Sequence, residues 1–143
     1  MNINKNLCEK LYIEVKSKLQ EEFVKQGMTY RDSETSIWKL TNPKNGKTYF
    51  QLILEESTHL SFSGTFNNMY LWRKLNEVQT REVVNFQEDY LAFFTKFLGY
   101  ANPQTYISEF SLTLHSYFGI KKEGKIVVVQ PIFDANKDVP PPD

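Results

Sequence analysis

Apolar residues at Leu7, Leu11, Val15, Leu19 and Phe23 recur every four positions. That spacing lines them along one side of an α-helix. Glu9, Lys10, Glu14, Lys16, Lys18, Glu21, Glu22 and Lys25 take much of the remaining circumference. Asn6, with Glu9 three residues later, fits a capping box, and Gly27 supplies a left-handed stop. The pattern predicts a helix over 7–26. Its stripe drifts round the axis and suits oblique packing across a sheet.

The period then shortens. Residues 37–41 and 48–54 are rich in β-formers, and "NPKNGK" between them carries Asn-Pro and Asn-Gly turn signals. A β-hairpin is expected, with Phe50, Leu52 and Leu54 on one side of its second strand and Tyr49, Gln51 and Ile53 on the other. Glu55, Glu56 and Ser57 read as a turn. "THLSFSG", residues 58–64, follows as a third strand with Leu60 and Phe62 inward and His59, Ser61 and Ser63 outward. Met69, Trp72 and Leu75 predict a short helix within 66–79. A longer one is expected over 81–98, with Val83, Gln87, Tyr90, Leu91, Phe94 and Leu98 on one face and Gly99 as its stop.

Residues 107–118 alternate, with Phe110, Leu112, Leu114 and Phe118 inward and Glu109, Ser111, Thr113, His115 and Tyr117 outward. That is the pattern of an antiparallel strand with one wet face. "KKEG" is a turn, and 125–133 is a last strand in which Pro131 points to an edge. The predicted fold class is therefore α+β. A mostly antiparallel sheet of about five strands carries two main helices on one face, in the order α-β-β-β-α-β-β. One domain spans 1–133, and 134–143 form a polar, proline-rich tail.

Composition narrows the function classes. The 143 residues carry no net charge, so a nucleic-acid partner is not expected. Cys8 is the single cysteine, which excludes an internal disulfide and a cysteine-rich zinc site and fits a reducing compartment. The N-terminal residues lack the apolar core of a signal peptide, and no stretch is apolar enough to span a membrane. A cytoplasmic protein is expected. Eleven Phe, eight Tyr and two Trp suit both a core and a contact surface.

Candidate chemistry is sparse. There are two histidines. On predicted strands, His59 with Ser61 and His115 with Thr113 would each share a face, and two imidazoles with two hydroxyls could grip a phosphodiester. "HLSF" at 59–62 resembles half of the signature of the two-histidine phosphoesterases. That resemblance implies metal-independent cleavage of cyclic or 2′,5′-linked nucleotides by His59, Ser61, Thr113 and His115. The second motif should repeat the first, but "HSYF" places Ser116 and Tyr117 where a hydrophobic residue and a hydroxyl belong. No Walker, Rossmann or zinc pattern is present, so no cofactor or metal is expected.

Elimination leaves a small cytosolic protein-binding module, not an enzyme. It would act as an inhibitor or neutraliser of another protein, of the bacterial toxin-immunity or phage anti-defence type. Its binding residues are expected among Glu109, Thr113, His115 and Tyr117 on the strand's wet face, and Glu55 and Glu56 at the turn. The predicted element order is also similar to that of secretion-type chaperones, which would make the protein a homodimer that holds an extended effector segment.

Overall fold

In the computed structural model, residues 1–29, 36–62 and 64–118 are described. The described elements are mostly helical: β1 (Asn2–Asn4), α1 (Lys5–Lys25), α2 (Ser36–Lys39), α3 (Tyr49–Thr58), α4 (Tyr70–Glu77), β2 (Val83–Asn85), α5 (Glu88–Phe97) and α6 (Pro103–Phe118). Two strands pair antiparallel, with Ile3 opposite Val84. The predicted five-stranded α+β sheet is not the fold. Contacts group Met1–Pro103 as one unit and the chain from Gln104 as another, and each is described by itself.

Helix α1 is the element the sequence marks most clearly. Leu7, Leu11, Val15, Leu19 and Phe23 are all buried, together with Cys8 and Tyr12. Asn4, not Asn6, is the N-cap: its side chain accepts a hydrogen bond from the Leu7 amide at 2.8 Å. At the other end Gly27 adopts φ +70°. The Met28 amide reaches the Phe23 carbonyl and the Gly27 amide the Val24 carbonyl. This pair of bonds is a Schellman motif, and the left-handed residue it requires is the glycine.

The "NPKNGK" turn forms, but helices flank it. Thr41 and Thr48 make a single antiparallel bridge, and the Asn42 side chain accepts from the Lys44 amide. After the bridge the chain turns helical, because Thr48 caps α3 by accepting from the Gln51 amide at 3.1 Å. Phe50, Ile53, Leu54 and Thr58 then fall on one buried helical face. "YFQLILEE" satisfies a period of two through Phe50, Leu52 and Leu54, and a helical period through Phe50, Ile53 and Leu54. Packing decides: the Phe50 ring lies edge-on to Trp38 at 4.9 Å and stacked with Phe94 at 6.1 Å.

The third predicted strand is likewise replaced. Thr58 ends α3, and His59 is its left-handed C-cap at φ 59°, ψ 26°. Residues 60–62 are coil, and Leu60, predicted inward, is 42% exposed. The short helix predicted within 66–79 is α4, but its buried residues are Tyr70 and Leu71. Met69, Trp72 and Leu75 are half-buried. The helix predicted over 81–98 splits into β2 and α5, which leaves Val83 48% exposed. Tyr90, Leu91 and Phe94 are buried as predicted, with Phe93 and Phe97 added.

Residues 107–118, predicted as a strand, lie within helix α6. Pro103 opens it at a position where its missing N–H costs nothing, and Tyr106 and Phe110, four apart, are buried. The "KKEG" turn, the strand predicted over 125–133 and the 134–143 tail lie outside the described residues.

Candidate functional site

The core stripe of α1 turns the opposite side of that helix to solvent. Helical pitch of about 100° per residue places Ile13, Ser17, Gln20 and Val24 on one line down the centre of the outer face. Ile13 is 61% exposed and Val24 is 76% exposed. Charged residues border the line rather than occupy it. Glu9 and Lys16 lie on one side, and Lys10, Glu14 and Glu21 on the other.

Several of these charges are drawn back along the helix flanks. Glu9, Lys10, Glu14 and Lys16 are half-buried. Lys10 pairs with Glu14 one turn on, and the Lys16 ammonium sits over the Tyr12 ring at 5.9 Å. The outer line of α1 carries exposed Ile13, Ser17 and Val24 with half-buried Gln20, while Glu21 and Lys25 also stay exposed. A partner laid along this line would desolvate Ile13 and Val24 without stranding a charge, while the borders would set its register.

The sequence-predicted residues sit elsewhere. Glu55 lies within α3, not in a turn, and is already engaged: it pairs with Lys47 at 3.5 Å and accepts from the Gln51 amide group at 3.1 Å. Glu56, beside it on the same helix, is exposed. His59 and Ser61 are exposed, but no strand aligns them on one face. Glu109, Thr113, His115 and Tyr117 belong to α6. Helical pitch separates positions 113 and 115 by about 160° round the axis. It keeps 109, 113 and 117 on one side and takes 115 away from them. The strand geometry that would have paired His59 with Ser61, and His115 with Thr113, is therefore absent.

The other notable chemistry is structural. Tyr70 and Tyr90 stack at 3.8 Å with their planes 4° apart. Each hydroxyl accepts a backbone hydrogen bond at 2.9 Å. Tyr70, from α4, receives the Gln87 amide at the start of α5, and Tyr90, from α5, receives the Asn67 amide ahead of α4. Burial raises both phenol pKa values, and the backbone donors partly oppose it. Burial also pushes the Cys8 thiol up to about 12, with Glu9 and Glu77 adding to the effect. A thiol in that state is a poor nucleophile. Among the described residues, no three His, Cys, Asp or Glu side chains gather closely enough to hold a metal ion.

Sequence reasoning passed over Ile13 and Val24. The available signal was two apolar residues eleven apart on the side opposite the core stripe. No protein-family model, curated protein or solved structure matches the chain. No helix among the described residues is long and apolar enough to cross a membrane.

Proposed function

We propose that the protein is a binding module that neutralises another protein by covering it, in the manner of toxin-immunity or phage anti-defence proteins, and that it performs no catalysis of its own. The observation that carries this reading is the uncharged line Ile13–Ser17–Gln20–Val24 on the outer face of α1, with Ile13 and Val24 exposed between charged borders. Two exposed apolar residues aligned on one uncharged helix line suit a contact surface, which would take them out of water. The cytosol is the proposed compartment, since the buried free thiol of Cys8 suits a reducing environment.

The test is a pull-down from lysate of the source cell, comparing the natural protein with Ile13→Asp and Val24→Asp. One stoichiometric partner should be held by the natural protein and lost from both variants. Their melting should be unchanged, because exposed positions tolerate substitution within about 0.5 kcal/mol. Equal retention of the partner by the variants, or the absence of any partner, would count against the reading.

A further inference from the structure

Strand β2 presents an open edge. Met1 and Phe86 exchange two backbone bonds, at 2.9 Å and 2.7 Å, and the Lys5 amide reaches the Glu82 carbonyl at 2.8 Å. With Ile3 opposite Val84, odd positions of β1 therefore bond even positions of β2. The N–H and C=O groups of Val83 and Asn85 must then point away from β1. Among the described residues, none of these four groups finds a hydrogen-bond partner. Proteins commonly blunt such an edge with lysine, proline or a covering element. Here Val83 and Asn85 are both exposed, and neither residue blunts it.

The charges around the edge are complementary to a second copy of themselves. Arg81 and Glu82 precede β2, and Glu88 and Asp89 open α5 just after it; all four are exposed. No ion pair joins any of them to another described residue. Suppose two β2 strands run antiparallel about a two-fold axis at Val84. Val83 then lies opposite the partner's Asn85, and the pair exchanges two backbone bonds, repeated by symmetry. The same register sets Arg81 opposite the partner's Gln87, beside the partner's Glu88.

We propose that β2 is a self-association edge: two copies pair through it to form a four-stranded sheet ordered β1-β2-β2-β1, with Arg81 of each copy against the acidic first turn of the other's α5. The interface is isologous, so each contact occurs twice. Its short strands make it a weak, concentration-dependent dimer, well below the area of a permanent one. The edge is separate from the outer face of α1, so this proposal stands or falls independently of the neutraliser reading.

Sedimentation over a rising concentration series tests it. The natural protein should shift from monomer to dimer, and added salt should push the shift to higher concentration. Arg81→Glu alone and Glu88→Arg alone should each stay monomeric. Mixed together they should form a one-to-one dimer, because each then meets an opposite charge. Val83→Pro removes only an outward-pointing donor and should abolish dimerisation while melting stays near that of the natural protein. A natural protein that is monomeric throughout the series overturns the proposal. So do single variants that dimerise as the natural protein does.

Discussion

His59 is the residue at which helix and strand readings of 58–64 make opposite predictions. It caps α3 in the left-handed region, at φ 59°, and its amide bonds the Glu55 carbonyl at 2.9 Å. The side chain is exposed and makes no hydrogen bond to a described residue. Left-handed backbone costs a residue with a Cβ about 1–2 kcal/mol. His59→Gly removes that cost and keeps the amide bond. Glycine also gives the unfolded chain more freedom, which takes back about 0.4–1 kcal/mol. The net expectation is a gain of about 0.5–1 kcal/mol, or a rise in Tm of about 2–4 °C for a chain of this size. His59→Ile should lose about 1 kcal/mol or more, since a β-branched residue fits this region worst. Thermal melting followed by far-ultraviolet circular dichroism ranks the three proteins. An extended strand would reverse the order, because there isoleucine is favoured and glycine weakens the element. A lower Tm for His59→Gly together with a higher one for His59→Ile would refute the cap.

The tyrosine pair makes a second prediction. Tyr70→Phe and Tyr90→Phe each strip a backbone amide, of Gln87 and of Asn67, of its acceptor, and each should cost about 1–2 kcal/mol in urea unfolding. Losses under about 0.5 kcal/mol for both would show that water replaces the hydroxyls without cost. A third concerns pH. Cys8 has a folded pKa raised from 9.0 to about 12, so it favours the folded state fully below pH 9 and less as pH climbs towards 12. Tyr70 and Tyr90, also raised, act in the same direction above pH 10. Stability should therefore fall steadily on the alkaline side of pH 9, and Cys8→Ala should flatten the first part of that fall. An unaltered pH profile in Cys8→Ala would show that the thiol does not carry it.

The sequence by itself determined helix α1, its buried stripe and its glycine stop. It also determined the "NPKNGK" turn and the buried Tyr90, Leu91 and Phe94 of α5. Each rests on interactions within a few residues, or on an apolar repeat long enough to fit one period only. Cap and start signals for two missed helices were also present, in Thr48 with Gln51 three residues on and in Pro103. They were outweighed by β-rich composition and apparent alternation. Only the tertiary structure decided that 49–58 is helical, because "YFQLILEE" suits both periods and the surroundings of Phe50 break the tie. The same ambiguity made 107–118 look like a strand, and with it fell the common face assigned to Thr113 and His115. The two surfaces that carry the functional proposals were also decided by the fold. Ile13 and Val24 become informative once burial shows that both stay largely exposed. Val83 becomes so once the β1–β2 register shows which backbone groups face outward. Exposure and register arise between distant segments, so local periodicity does not encode them.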